Sequence, residues 1–549
     1  MSKIKIIPLG GAGEQGKNMV AVDVDGEIYI FDAGIKYPVA SMFGVDYIIS
    51  DFEYLKNNKE KIKGIFITNS NEENMGAAFD VIKALPNVSI YGSKYTITSI
   101  KNKNYKLNES TNLIEIEPHK TIKFGVNSIY PISVTYNVPG ALLYVLNTSD
   151  GAVVYTGNFV FDSATMKQFS MDVGKLAYVG KQGVLALISE STYSEKSGFT
   201  APKNRISKYI KNAFYESEAR TIFSLYHDDA YRICELLNET KKTKRKIVIL
   251  GSQLYRTIIT LINGNVIDFN KDDIGTIADI RNKNSVILIG NDRYNPYVYL
   301  KKILSGFDRN LKINGTDSVV FLENSYLGTE KAYIETIDKF SRLYASVITL
   351  PKKDVLMHNA SREDLLLMLN LMNPSYYIPI KGNYKLQFHN KEAALLIGKK
   401  EENIILPKNG DVITFENGKL ISSNEKIKVD DILIDGNSSD DVGELVIRDR
   451  QILSDNGIVV VTTTISKNNN KILAGPDVQS KGFIYVKENI EIMNEIKNIS
   501  KAILDENITE TSVAYSNIKS EIRSQVTKYL FKETGARPMV ISIVQKKDF

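Results

Sequence analysis

From about residue 200 the chain alternates short apolar runs with longer stretches of helical spacing, and this rhythm restricts the fold more than any other feature. RKIVILGS and NSVILIG each hold an unbroken apolar core and RTIFSLY one interrupted only by a serine, while NRISKYIKNAFYES, DAYRICELLNETKK and LYRTIITLING carry apolar residues at helical intervals. Parallel strands need a crossover, usually a helix, and a strand covered on both faces reads as a continuous apolar run. The pattern predicts a parallel α/β sheet over this region. SREDLLLMLNLMNPSYYIPI adds a helix–strand pair, with Ser361 as its N-cap.

The residues before 192 follow another pattern. KIKIIPLGG, MVAVDVDGEIYIFDAG (turning at VDG), KGIFITN, VSIYGS, SIYPISVTY, ALLYVLNTSDGAVVYTG and GVLALISES read as strands. EENMGAAFDVIKALPN reads as one amphipathic helix ended by Pro-Asn. Strand-rich halves interleaved with helices predict a layered α/β sandwich. After residue 400, PKNGDVITFENGKLISSNEK and DGNSSDDVG read as the close of a unit and a linker. From GELVIRDR onward, strands GIVVVTTTI, GFIYVKE and RPMVISIVQ alternate with helices NIEIMNEIKNISKAILDE and NIKSEIRSQVTKYLFKET, a compact α/β domain. At 549 residues the chain exceeds one core and is expected to form three or so domains.

Composition excludes several classes. Hydrophobic residues make up 43% and charged residues 24%, as in a soluble globular protein. Lys and Arg outnumber Asp and Glu by 69 to 64, which permits a nucleic-acid partner without demanding one. The basic run Lys241–Lys246 reads as a solvated helix end. The one cysteine, Cys234, rules out an internal disulfide or thiolate cluster and suits a reducing cytosol. The opening apolar run is too short for a signal peptide, and no window reaches the ~20 apolar residues of a membrane helix. A cytoplasmic protein is expected. There are four histidines in all: His119, His227, His358 and His389.

IPLGGAGEQGKNM, FDAGIKYP, GVDYIISDFEYLKNNKEKIKGIFIT, VVYTGNFVFD, LISESTYSEKSGFT, IPIKGNYK, LVIRDRQILSDNGIVVVTTT, GPDVQSKGFIYVKE and FKETGARPMV resemble, in the same order, stretches of the ribonuclease J family. The likeness runs from residue 4 to the C-terminus. It implies an α/β protein: an αββα metallo-β-lactamase sandwich, an inserted β-CASP α/β domain and a small C-terminal α/β domain used in oligomerisation. The expected boundaries are residues 1–199 and 377–436 for the sandwich and linker, 200–376 for the insertion and 437–549 for the C-terminal domain. It also implies an RNA substrate, hydrolysed in active members by two zinc or manganese ions.

Active members carry THGHEDHIG at the strand tip where this chain has ITNSNEENMG. Aligned on Ile67-Thr68 and Gly76, the resemblance puts Asn69, Asn71 and Asn74 at three histidine positions and Glu73 at the aspartate position. Tyr136 and Lys381 fall at two further histidines, and Asn158, in TGN, at the bridging aspartate. Five imidazoles cannot come from four histidines outside those motifs. Amides and carboxylates (Asn69, Asn71, Glu72, Glu73, Asn158) suit hard cations such as Mg²⁺, but neutral amides balance little charge. An ammonium at Lys381 repels cations, and it is expected to pair with Glu73 or Asp32. No metal and no cofactor is therefore expected. In the insertion, Met357 and Asn359 of VLMHNAS stand where active members grip phosphate. Arg293, in GNDRYNP, replaces a glycine-rich turn, and Glu190, in SES, keeps a family acid. These four are the expected RNA-binding positions. GGAGEQGKN has neither the spacing nor the following helix of a phosphate loop.

The reading that follows is a ribonuclease J-like protein of RNA processing and decay. It is expected to act as a non-catalytic RNA-binding or scaffolding subunit, a homo- or hetero-oligomer with an active ribonuclease J paralogue. The alternative is a weak metal-dependent 5′-3′ exo/endoribonuclease with a rebuilt oxygen-ligand site.

Overall fold

The computed structural model describes residues 2–39, 42–103, 112–216, 219–326, 328–343, 345–421, 425–436, 444–483, 489–509 and 512–548. Two sheets form a sandwich. The first has eight strands in the order Lys419–Ile421, Ile413–Glu416, Lys3–Gly10, Met19–Val24, Glu27–Phe31, Ile62–Phe66, Ile90–Gly92, Leu113–Glu115. The second has six, in the order Tyr376–Ile380, Val184–Glu190, Gly151–Tyr155, Leu142–Thr148, Asn127–Ser133, Ile122–Phe124. Each sheet is antiparallel at one side and parallel at the other. Ile4, Val20, Phe31 and Phe66 of the first sheet meet Tyr144, Val153, Tyr155 and Ile378 of the second in one apolar core. Phe31 stacks on Tyr155 at 5.3 Å between ring centres, closing the layers over each other. Helix Lys94–Lys103 packs on the first sheet and helix Arg362–Met372 behind the second, which makes the αββα layering expected from the resemblance.

Between the second sheet's last two strands in chain order lies the inserted α/β unit. Its five strands run all parallel in the order Ile247–Leu250, Val286–Asn291, Thr221–Tyr226, Ser318–Phe321, Ser346–Thr349. Thr221–Tyr226 is buried at every residue, as its largely apolar run predicts. Strand Tyr376–Ile380 then returns to the sandwich beside Val184–Glu190. Helix Arg362–Met372 starts on Ser361 with a reciprocal capping box through Asp364.

Contacts divide the chain into two compact units, residues 1–37 with 48–432 and residues 38–47 with 433–549. The second is built on strands Ile472–Lys481, Ile458–Ser466 and Met539–Lys547, with helices Ile490–Asn507 and Tyr515–Thr534 on one face.

Three local expectations change. The single helix over EENMGAAFDVIKALPN is two, Glu72–Met75 and Ala78–Ala84. The Ala77 amide donates to the Ala33 carbonyl at 2.9 Å, so the end of FDAG takes the hydrogen bond that a continuous helix needs. Helix Glu444–Asn456 occupies the whole of LVIRDRQILSDN, where no element is expected. The last five residues of the expected strand GFIYVKE, 484–488, lie outside the described residues, and the strand beside Ile458–Ser466 is Ile472–Lys481.

Candidate functional site

The residues singled out from the sequence collect where strands of the sandwich end, the usual place for chemistry in an α/β protein. Asp32 follows Glu27–Phe31, Asn69 follows Ile62–Phe66, Asn158 follows Gly151–Tyr155, and Lys381 follows Tyr376–Ile380; Glu190 ends its own strand. The loop's path is set by its backbone. Asn18 and Ile35 donate to the carbonyls of Glu73 and Glu72 at 3.0 and 2.9 Å, and Ala33 to that of Asn74 at 2.7 Å. Gly34 allows this approach, since a Cβ there would stand 1.7 Å from the Glu73 oxygen.

At the centre is an ammonium. Lys381 Nζ donates to Asp32 Oδ2 at 3.2 Å, Asn158 Oδ1 at 3.3 Å and Asn74 Oδ1 at 3.5 Å, and lies 5.0 Å from the centre of the Tyr155 ring. Its three protons have three acceptors. Asp32 is fully buried and takes three more bonds, from the Thr68 amide, the Thr68 hydroxyl and Tyr155. Lys381 therefore meets Asp32 and not Glu73. Both members of the pair sit in the left-handed region, Asp32 at φ 62° and Lys381 at φ 55°. Such conformations persist where surroundings over-determine them; here the Asp32 amide bonds Phe66 O and that of Lys381 bonds Gly11 O.

The amides continue the network. Asn74 Nδ2 donates to Asn158 Oδ1 at 2.9 Å, Asn158 Nδ2 to Glu190 Oε2 at 3.2 Å, and Asn69 Nδ2 to Thr68 Oγ1 at 3.1 Å. Asn18, unmarked in the sequence, donates to Asn74 Oδ1 at 2.7 Å. Glu190 lies wholly buried behind Asn158; burial lifts its carboxyl to about 7, against the Phe159 amide and the Lys381 charge. Asn71 points elsewhere, its Nδ2 reaching the Tyr136 hydroxyl and Asn137 Oδ1 at 3.1 Å each.

Glu73 turns away from Lys381 toward the inserted unit. Its Oε1 accepts from Tyr326 at 2.6 Å and from Tyr294 at 3.1 Å. Neither tyrosine is singled out by sequence reasoning, because each lies more than two hundred residues from Glu73; Tyr294 stands in GNDRYNP, where the arginine beside it drew the reading. Arg293 lines the same cleft, but its Nε is held by Asp228 at 2.7 Å and its guanidinium lies over Tyr226. Burial raises the Asp228 carboxyl; Arg293 and His227 outweigh that and keep it below the usual range. Asn359 also lines the cleft, and Met357 is half-buried beside it in sequence. His358, between them, is buried against Tyr231 with its ring nitrogens unpartnered among the described residues.

The donors near Lys381 do not fit a pair of divalent ions. Neutral amides surround a fixed cation there, and among the described residues no group of three or more His, Cys, Asp or Glu is placed to hold a metal ion.

Comparison with known proteins supplies the family. A model of the ribonuclease J β-CASP domain matches residues 218–340, and one of the ribonuclease J C-terminal domain matches residues 445–546. Ribonuclease J 2 of Staphylococcus saprophyticus is 35% identical over 549 residues, 99% of this chain and 98% of that protein. Ribonuclease J 2 of Staphylococcus aureus strain MRSA252 is 35% identical over 548 residues, with the same coverage. A crystal structure of a protein of unknown function from Enterococcus faecalis V583 superposes with a TM-score of 0.54 at 15% identity, over 75% of this chain and 100% of that one, a likeness of fold alone. No described helix is long and apolar enough to cross a membrane. These matches correct the expectation that the chain has no cofactor: metallo-β-lactamase/β-CASP ribonucleases are typically metal-dependent. With likeness that extends over nearly its full length and into both family domains, this chain belongs to the ribonuclease J family, whose members act on RNA.

Proposed function

We propose that this protein serves RNA processing and decay as a non-catalytic, RNA-binding or scaffolding subunit that pairs with an active ribonuclease J in the cytoplasm. The observation that carries this reading is Lys381, whose ammonium holds Asp32, Asn74 and Asn158 together where the family resemblance puts a hydrolytic centre. Asn69, Asn71, Glu73, Asn74, Tyr136, Asn158 and Lys381 are then former ligand positions converted to a structural network. A unit charge ~4 Å from a divalent ion opposes it by several kcal/mol at the effective dielectric of a protein. Scaffolding is supported by the C-terminal unit: Val540 and Val544 face its helices, so the alternating Ile541 and Ile543, each 37% exposed, lie on the opposite face of the sheet.

The weak-nuclease reading has one observation of its own. Asn71 Oδ1 has no partner among the described residues and stands in the cleft beside Glu72 and Glu73. One assay separates the two. Purified protein is given 5′-monophosphorylated RNA with Mg²⁺, Mn²⁺ or Zn²⁺, beside an Asn71→Lys/Glu73→Lys variant, and its metal content is measured. No turnover above that of the variant is expected. Turnover that the variant loses would refute the proposal. Native co-purification should recover a histidine-bearing homologue in fixed ratio, and a lone homodimer would count against a scaffold.

A further inference from the structure

The geometry points to a latch: Glu73 of the sandwich and Tyr294 and Tyr326 of the inserted unit hold the cleft between them shut against single-stranded RNA. Both phenols donate to the same carboxylate oxygen, and bonds to an ionised acceptor are the strong kind. Gln15 Nε2 donates to the Tyr326 oxygen at 2.8 Å, which leaves the phenol proton for Glu73 and sets the direction of the chain Gln15→Tyr326→Glu73. Burial pushes the ionisation of both phenols well above its usual range, so each remains a donor. The rings add a second grip. Tyr294 stacks on Tyr37 with the planes 20° apart and meets Tyr326 edge-on at 5.0 Å.

Five separated segments meet at this point. Gln15, Tyr37 and Glu73 come from three separate stretches of the sandwich, Glu73 from the short helix Glu72–Met75; Tyr294 and Tyr326 follow two different strands of the inserted sheet. The latch therefore fixes one edge of the insertion to the loop that carries Asn69, Asn71 and Asn74. Beside a pocket of about 120 Å³ that shares Glu72 and Asp228, the part of the cleft lined by Asn71, Glu73, Tyr136, Thr192, Arg293 and Asn359 has a volume of about 40 Å³. That holds a few waters and no nucleotide. Nor does charge draw a phosphate in. Glu72, Glu73 and Asp228 face the space, and its cation, Arg293, is already bound to Asp228.

The chain offers a clean reporter. Its one cysteine, Cys234, is buried and its thiol is pushed up by burial, so it stays silent to thiol reagents. Thr192→Cys places a near-isosteric thiol on the cleft wall, and the rate of maleimide labelling in full-length protein reads access. Tyr294→Phe with Tyr326→Phe keeps every ring contact and removes the two hydroxyls, and with them both bonds to Glu73 and the acceptor of Gln15. Labelling is expected to rise at least tenfold in that variant, and severalfold in Glu73→Gln, which keeps an acceptor but loses its charge. Photo-crosslinking of oligouridylate to peptides covering residues 69–75 is expected in the double variant and not in the Thr192→Cys parent. Unchanged labelling in both variants, with melting as in the parent, would overturn the latch, as would crosslinking of equal yield in the parent. If the double variant fails to fold, Glu73→Gln alone decides by the same two readouts. No step measures RNA hydrolysis, so this result is independent of whether the chain is a nuclease.

Discussion

Replacing Lys381 by methionine keeps most of the side chain's length and removes its charge. Asp32 then keeps its bonds from Thr68 and Tyr155 but loses its counter-charge at full burial. At 3.2 Å the pair attracts by about 5 kcal/mol at an effective dielectric of 20. Removing one partner of a buried pair generally costs ~3–5 kcal/mol, because the remaining charge is left uncompensated. Asn74 Oδ1 retains Asn18, and Asn158 Oδ1 retains Asn74, so those acceptors add little. The expected cost of Lys381→Met is thus about 3–5 kcal/mol. Asp32→Asn keeps the ammonium beside two amide carbonyls and should cost less. The double variant should recover about 2 kcal/mol or more relative to the sum of the singles. Hydrogen exchange at the amides of Asp32 and Thr68 reads this as a local opening free energy and does not require the whole chain to unfold in one step. A loss under ~1 kcal/mol for Lys381→Met, or strict additivity in the cycle, would show that the ammonium does not organise the site.

Gly34→Ala would drive a Cβ into the Glu73 carbonyl, 1.7 Å away, and is expected to cost about 2–3 kcal/mol, with faster exchange confined to residues 69–76. His358 is held neutral, burial taking its imidazole down to about 3, with Arg232 adding to the shift. The folded state then binds fewer protons, so stability present above about pH 6.5 is lost as pH falls toward 3, and His358→Leu should flatten that acid limb of the urea midpoint. Glu323 shifts oppositely, raised to about 7 by burial despite bonds from Ser224 and Asn291. Its folded state holds the proton more tightly, so its contribution is full below about pH 4.5 and declines up to pH 7; Glu323→Gln should remove that decline in the same titration.

Period and punctuation made most of the fold legible. Largely apolar runs marked the covered parallel strands, and Asp25-Gly26, both at positive φ, closed the hairpin that VDG signals. Ser361 capped its helix for a local reason, the reach of its side chain and that of Asp364 over one turn. Failures came where a distant group took a local bond. Helix Glu72–Met75 stops because Ala33, some forty residues earlier, accepts from Ala77.

The candidate site divides the same way. The chain's order of residues determined which donors stand at the strand ends: amides, one buried aspartate and one lysine in place of imidazoles. Which of them pair was left open, since Lys381 had two carboxylates in prospect, one of them 349 positions away in the chain. Only the sandwich, by bringing the ends of Glu27–Phe31 and Tyr376–Ile380 together, chose Asp32 for Lys381 and left Glu73 to two tyrosines of the inserted unit. Hydrogen bonds and ion pairs act over a few ångströms of space regardless of separation along the chain, so residue types are written in the sequence and partners are settled by the fold.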